Sequence, residues 1–63
     1  MIDTYCAGGT YYGIMISYDV MLRIMRDDFI KPDDFIEVRF EDGVKGAIQK
    51  KSITGFCESQ ENV

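Results

Sequence analysis

Hydrophobic and polar positions change their period several times along the chain, and each period predicts a different element. The first clear pattern is Thr10–Ile16, which is rich in β-branched and aromatic residues and predicts a strand. The Gly8-Gly9 pair before it predicts a turn, so a short edge strand around Ile2–Cys6 should form a hairpin with it. Alternation places apolar side chains on both sides of the second strand. We therefore expect both of its faces to be covered, one by the helix and the other by a second subunit or by solvent at the tyrosine hydroxyls.

The period becomes helical after Ser17 and stays so until about Phe29. Apolar residues recur there at spacings of three and four: Tyr18, Met21, Leu22, Met25 and Phe29, with Val20 and Ile24 widening the stripe. Ser17 is a suitable N-cap, and Asp19 places a negative charge in the first turn, where the helix dipole favours it. Lys31-Pro32 should end the helical region, because the residue before proline is disfavoured in the α conformation.

The strongest local signal is a predicted hairpin in the second half of the chain. The alternating segments Phe35–Phe40 and Val44–Gln49 flank Asp42-Gly43, a dipeptide typical of tight turns between antiparallel strands. One face would carry Ile36, Val38 and Phe40 opposite Val44, Gly46 and Ile48. The other would expose Glu37, Arg39, Lys45 and Ala47 to water.

A polar break at Lys50–Ser52 precedes a short apolar segment, Ile53–Cys57, which we interpret as the last strand. The predicted fold class is α+β, with one amphipathic helix packed on a small curled antiparallel sheet in the order β(β)αβββ. A small SH3-like barrel is an alternative description, with a helical turn near Lys50–Ile53 joining the final two strands. We expect residues 1–58 to form a single globular domain and residues 59–63 a flexible acidic tail.

Composition bounds what such a chain can be. With 63 residues, 46% of them hydrophobic and a single proline, it suits a folded domain with a small core. Domains of this size are commonly stabilised by oligomerisation, so a homo-oligomer is expected, with a dimer favoured. The net charge of −4 opposes direct binding to nucleic acid and favours encounter with a basic protein surface. The same charge is also ordinary for a soluble protein.

The sequence also predicts the cellular location of the protein and the state of its two cysteines. No stretch has the roughly 20 apolar residues of a membrane span, and the first residues lack the pattern of a signal peptide. We therefore expect a cytoplasmic protein without a membrane partner. Cys6 and Cys57 are expected to be free thiols in a reducing compartment. A disulfide between them would be conceivable if the terminal strands were neighbours.

The sequence contains few side chains of the kinds that usually perform catalysis. Histidine is absent, which removes the commonest general base and metal ligand. Neither cysteine has a basic residue within four positions that would lower its pKa. The carboxylate pairs lack the alternating oxygen ligands of an EF-hand. We expect no enzyme activity, no metal and no cofactor.

A binding role is the expectation that remains. Tyr11, Tyr12 and Met15 are candidate anchors for a partner, because tyrosine combines a large rigid contact area with a polar group and methionine adapts its shape. The candidate residues for electrostatic steering are Asp27, Asp28, Asp33 and Asp34.

Among binding functions, the expected one is stoichiometric inhibition or modulation of a larger host protein. Phages and mobile elements often carry small acidic proteins of this kind against host defence enzymes. Two other functions stay open. The chain could be a self-associating structural or assembly subunit, or it could bind a ligand in a pocket between subunits.

Overall fold

The computed structural model describes residues 1–59 and shows a small α+β fold. In chain order its elements are β1 (Ile2–Cys6), β2 (Gly9–Ile14), α1 (Tyr18–Arg26), β3 (Phe35–Arg39), β4 (Lys45–Gln49), a 3-10 helix (Lys50–Ser52) and β5 (Ile53–Glu58). The strands form two antiparallel sheets, one in the order β2-β1-β5 and one of β3 and β4. The predicted sequence of strands and helix is confirmed, although the strands divide between two sheets where one was expected.

The β3–β4 hairpin has the predicted register. Ile36 pairs with Ile48 and Val38 with Gly46, without any shift. Both isoleucines and Val38 are buried, whereas Glu37 and its neighbours on the opposite face are exposed. The turn closes through hydrogen bonds from the Phe40 amide to the Val44 carbonyl at 2.8 Å and from the Gly43 amide to the Phe40 carbonyl at 2.9 Å. Gly43 has a φ of 86°, the left-handed conformation that this turn needs.

Helix α1 begins where the sequence predicts and ends earlier. The Ser17 hydroxyl accepts from the Val20 amide at 3.2 Å, which confirms the N-cap. After Arg26 the backbone leaves the helix at Asp27, whose carboxylate accepts from the Phe29 amide at 2.9 Å. This local bond competes with helix continuation. The assignment of Phe29 to the buried stripe is therefore wrong: its side chain is 92% exposed.

The three-stranded sheet is less regular than the hairpin. The pairing of β1 with β2 shifts register between Ile2 and Thr4, and the pairing of β1 with β5 shifts between Tyr5 and Cys6. Gly13 has a φ of 70°, and its amide donates to the Asp3 carboxylate at 3.0 Å. β2 consequently ends at Ile14, two residues before the predicted end.

The core lies between the two sheets and the helix. Its buried members are Ile2, Ile14, Met21, Ile36, Val38, Ile48 and Ile53, with Ile16, Ile24, Met25, Phe40 and Phe56 among the residues packed against them. Ile14 joins the two sheets, because it pairs with Ile2 in one and forms an isolated bridge to Phe40 beside the other. The next amide, of Met15, donates to the Arg39 carbonyl at 2.7 Å. Within the described chain Tyr12 of β2 is 70% exposed and Met15, just after the strand, is 58% exposed, so cover of this segment by a second subunit stays a prediction.

The terminal strands are neighbours, yet the two cysteines do not meet. Cys6 is opposite Ile53 on the core side, whereas Cys57 is opposite Asp3 on the outer side. The two positions are three residues apart along β1, roughly 10 Å, so a disulfide cannot form there. Both thiols are free.

Ser59, placed by the sequence in a flexible tail, lies beside the first strand. Its amide donates to the Met1 carbonyl at 3.1 Å and its hydroxyl to the Asp3 carboxylate at 2.8 Å. The rest of the predicted tail, residues 60–63, lies outside the described residues.

Candidate protein-binding surfaces

The three predicted anchors diverge in space. Tyr11 faces Phe40, with ring centroids 6.0 Å apart, and is 44% exposed. Tyr12, the next residue of the strand, lies on the opposite side of the sheet. Met15 follows the end of β2 and lies beside Arg39 of the other sheet. All three are exposed, but they do not form one patch, and their role in binding stays a prediction.

Tyr12 belongs to what we term the outer face, the side of the three-stranded sheet that carries Asp3, Tyr5, Thr10, Tyr12 and Cys57. Tyr5 and Cys57 come together there, with the phenol oxygen 3.5 Å from the thiol sulfur. The pKa of Tyr5 is raised, first by this hydrogen bond and the charge of Cys57, then by burial and by Asp3 and Tyr12. Because Tyr5 pairs with Thr10, it lies near Tyr12, and both tyrosines are exposed on this face.

Met15 lines a different feature, an open groove of about 660 Å³ beside the hairpin. The groove is formed by Met15, Ile16, Glu37, Val38, Arg39, Lys45, Gly46 and Ala47. Its apolar members lie among charges of both signs, which is the composition of a surface that can contact a mixed polar and apolar partner.

The loop of residues 27–34 is held on the segment that links β4 to β5. The Lys50 ammonium donates to the Asp27 carbonyl at 2.8 Å and to the Ile30 carbonyl at 2.6 Å. The Lys50 amide donates to the Asp34 carbonyl at 2.9 Å, and the Lys51 amide donates to the Pro32 carbonyl at the same distance. We term this docked segment the aspartate loop.

Three of the four aspartates of this loop already have a partner for their carboxylate. The Asp27 and Asp34 carboxylates accept from the Phe29 and Lys31 amides, at 2.9 and 2.8 Å. Asp33 forms an ion pair with Lys51 at 2.9 Å. Within the described residues, Asp28 alone of the four has no hydrogen-bond or ion-pair partner.

Sequence reasoning missed two exposed phenylalanines at this end of the molecule. Phe29 projects from the aspartate loop, and Phe35 begins β3 with 65% of its side chain exposed. The Asp-Asp pair before Phe29 was the available signal, because aspartate readily forms local turns that take the next residues out of a helix.

The described part of the chain shows neither a metal site nor a spanning helix. Among residues 1–59, no three Cys, Asp or Glu side chains are grouped so that they could hold a metal ion. No helix in that range is long and apolar enough to cross a bilayer.

Burial raises the pKa of the Cys6 thiol, which disfavours its reactive thiolate.

No protein-family model, curated protein or solved structure matches this chain.

Proposed function

We propose that this chain is a non-enzymatic protein-binding module. It would inhibit or modulate a larger cytoplasmic host protein by forming a stoichiometric complex with it. Phage-borne and mobile-element proteins that block host defence enzymes are the class it would join. The observation that carries the proposal is the exposure of large apolar side chains on a hydrogen-bonded backbone, with Tyr12 70% and Met15 58% exposed. Aromatic side chains held in this way are the usual anchors of protein interfaces.

The charge of the chain supports the choice of partner. A net charge of −4 favours encounter with a protein that carries a basic surface and disfavours a nucleic-acid partner. In this proposal, Tyr11, Tyr12 and Met15 supply apolar contacts, and the aspartate loop contributes to the rate of encounter. Since Asp33 is already paired with Lys51, we assign more of that effect to Asp28.

Self-association is the second candidate function, and a strand-edge observation favours it. Among the described residues, β4 pairs only with β3 and β5 pairs only with β1. Each of these two strands therefore has one edge without a partner strand. Unpaired edges are common sites for pairing with another chain. A homodimer formed there would make the chain an assembly subunit.

We further infer that the two sheets belong to one SH3-like barrel. The bridge between Ile14 and Phe40 joins the sheets at one place, which supports this description. The 3-10 helix Lys50–Ser52 between β4 and β5 is the connection that such a barrel uses. The groove lined by Met15 would then lie on the barrel wall.

Affinity capture from a bacterial lysate, at low and at high salt, tests the binding proposal. The parent chain should retain one larger protein in both conditions, and Tyr12→Ala should retain less of it, mainly through faster dissociation. Val44→Ala is the matched control, because Val44 is 56% exposed but lies at the hairpin turn. It should retain as much as the parent.

Light scattering of the purified chain separates the two candidates. A parent chain that retains no larger protein, and whose mass in solution is a multiple of 7.2 kDa, would contradict the inhibitor proposal and favour self-association. Equal retention by Tyr12→Ala and the parent would move the binding surface away from the outer face.

A further inference from the structure

We propose that the groove beside the β3–β4 hairpin binds a peptide segment of another protein that carries a carboxylate next to an apolar side chain, with the carboxylate held between Arg39 and Lys45. The inference goes beyond the proposed function. That function concerns the net charge of a whole partner, whereas this groove recognises one local segment, whichever protein carries it. Of the residues that line the groove, sequence reasoning selected Met15 alone for binding.

Two cations face each other across the hairpin, which is the first observation. Arg39 pairs with Lys45 in the register of β3 and β4. The Arg39 carbonyl accepts from the Met15 amide at 2.7 Å and therefore points away from β4. Arg39 and Lys45 consequently form a pair without backbone hydrogen bonds between them, the kind whose side chains lie closest in an antiparallel sheet. Like charges opposed in this way destabilise a sheet, so an anion that contacts both relieves a repulsion already present in the fold.

The protein does not neutralise either cation, which is the second observation. Arg39 and Lys45 are both exposed. Within residues 1–59 neither forms an ion pair, and the ion pair in that range joins Lys51 to Asp33 at 2.9 Å. An arginine can hold a carboxylate through two parallel hydrogen bonds, and a lysine beside it adds a point charge.

Three acidic residues lie near these cations, and in the described chain none is paired with them. Asp42 uses its carboxylate to accept from a backbone amide of the turn at 3.1 Å. A carboxylate oxygen of Glu41 lies 4.0 Å from the place that a Cβ on Gly13 would occupy, so it points toward β2. Glu37 lines the groove opposite Ala47, two pairs further from the turn. It gives the groove a direction, because a ligand carboxylate is attracted to the turn end and repelled from the Glu37 end.

The apolar part of the groove sets the second requirement on the ligand. The groove has a volume of about 660 Å³, within the roughly 300–1,000 Å³ of typical ligand sites. The exposed Met15 and the half-buried Ile16 line it together with the two cations. Because methionine adapts its shape to what it contacts, this wall suits an apolar side chain next to the ligand carboxylate. A simple anion would leave that wall without a contact.

Titration of a capped peptide, followed by NMR, tests the site. The probe is acetyl-Ala-Leu-Glu-Leu-Ala-amide, and its matched control has glutamine in place of glutamate. The glutamate peptide should shift the backbone amide signals of Arg39, Lys45 and Ala47 in the parent chain. The glutamine peptide should bind at least about fivefold more weakly, the effect of losing a charge-assisted hydrogen bond. Equal affinity for the two peptides would overturn the inference.

Matched charge variants locate the interaction. Arg39→Gln and Lys45→Gln should each raise the Kd of the glutamate peptide by at least about fivefold. Lys31→Gln is the control, because it removes the same charge from an exposed position outside the groove. It should change the Kd by less than about twofold. Equal losses in all three variants would show that net charge alone attracts the peptide, and would overturn the site.

Lys45→Glu separates binding from folding. The variant places an opposite charge across from Arg39, so its urea midpoint should equal or exceed that of the parent while the glutamate peptide no longer binds. A Lys45→Glu chain that binds the peptide as the parent does would overturn the inference.

The remaining outcomes distinguish this site from the proposed function. Absence of shifts in the groove at millimolar glutamate peptide would overturn the inference and leave capture through Tyr12 intact. A parent chain that captures no larger protein would contradict the proposed function and leave the peptide titration unaffected. Groove signals that shift with the chain's own concentration, before any peptide is added, would identify a second copy as the occupant and overturn the assignment.

Discussion

The hairpin β3–β4 and the sheet β2-β1-β5 are both antiparallel, but they are specified in different ways. The hairpin pairs five residues with five without a shift, and its turn is closed within the sequence Phe40–Val44. The three-stranded sheet pairs the two ends of the chain, Ile2 with Glu58, and its register shifts twice. Its outer face exposes tyrosines, whereas the outer face of the hairpin exposes charges.

The difference shows where local rules are sufficient. In the hairpin, alternation and an Asp-Gly turn set the register from residues close together in the sequence. In the three-stranded sheet, the buried Ile14 must pair with Ile2 of its own sheet and also form a bridge to Phe40 beside the other sheet. The bulge at Gly13 is the local adjustment that allows both contacts. The following variants change residues of the three-stranded sheet and compare each with a control change elsewhere.

Ile14→Ala should have the largest effect, because it removes the side chain that joins the two sheets. Ile14 is fully buried, and truncation of such a residue costs about 2–5 kcal/mol of unfolding free energy. Urea unfolding followed by circular dichroism measures the loss. Val44→Ala, at the exposed hairpin turn, should change the unfolding free energy by less than about 0.5 kcal/mol. Similar losses in the two variants would contradict the central position of Ile14.

Gly13→Ala should be the next most damaging change. The φ of 70° at Gly13 is a left-handed conformation that costs an L-residue about 1–2 kcal/mol. Gly8→Ala is the control, because an added Cβ there meets no atom within 4 Å and Gly8 has no positive φ. If both variants unfolded at the same urea concentration, the bulge would not depend on glycine.

Thr4→Val should stabilise the protein slightly, by about 1 kcal/mol. The Thr4 side chain is fully buried in β1, and its hydroxyl has no hydrogen-bond partner in the described structure. Removing a buried, unpaired hydroxyl recovers its desolvation cost. Thr54→Val provides the contrast, because the Thr54 hydroxyl donates to the Tyr5 carbonyl at 3.1 Å. A higher unfolding midpoint for Thr4→Val and an equal or lower one for Thr54→Val is the expected pair of results.

The candidate surfaces were only partly accessible to sequence reasoning. Tyr12 and Met15 are exposed, but the alternation that identifies the strand also separates Tyr11 from Tyr12. Phe29 was assigned to the helix because its spacing fits the apolar stripe. The side chain of Asp27 ends the helix two residues before it, and spacing alone does not weigh that competing bond.

The sequence by itself determined the elements whose cause is local: the Ser17 cap, the register of the β3–β4 hairpin and the polar break before β5. Each depends on residues a few positions apart, so its energetics are readable from the chain. Only the tertiary structure decided that Cys6 and Cys57 face opposite sides and that Lys50 holds the aspartate loop. Those outcomes join residues 20 or more positions apart, where packing and backbone hydrogen bonds override the periodicity of any one segment.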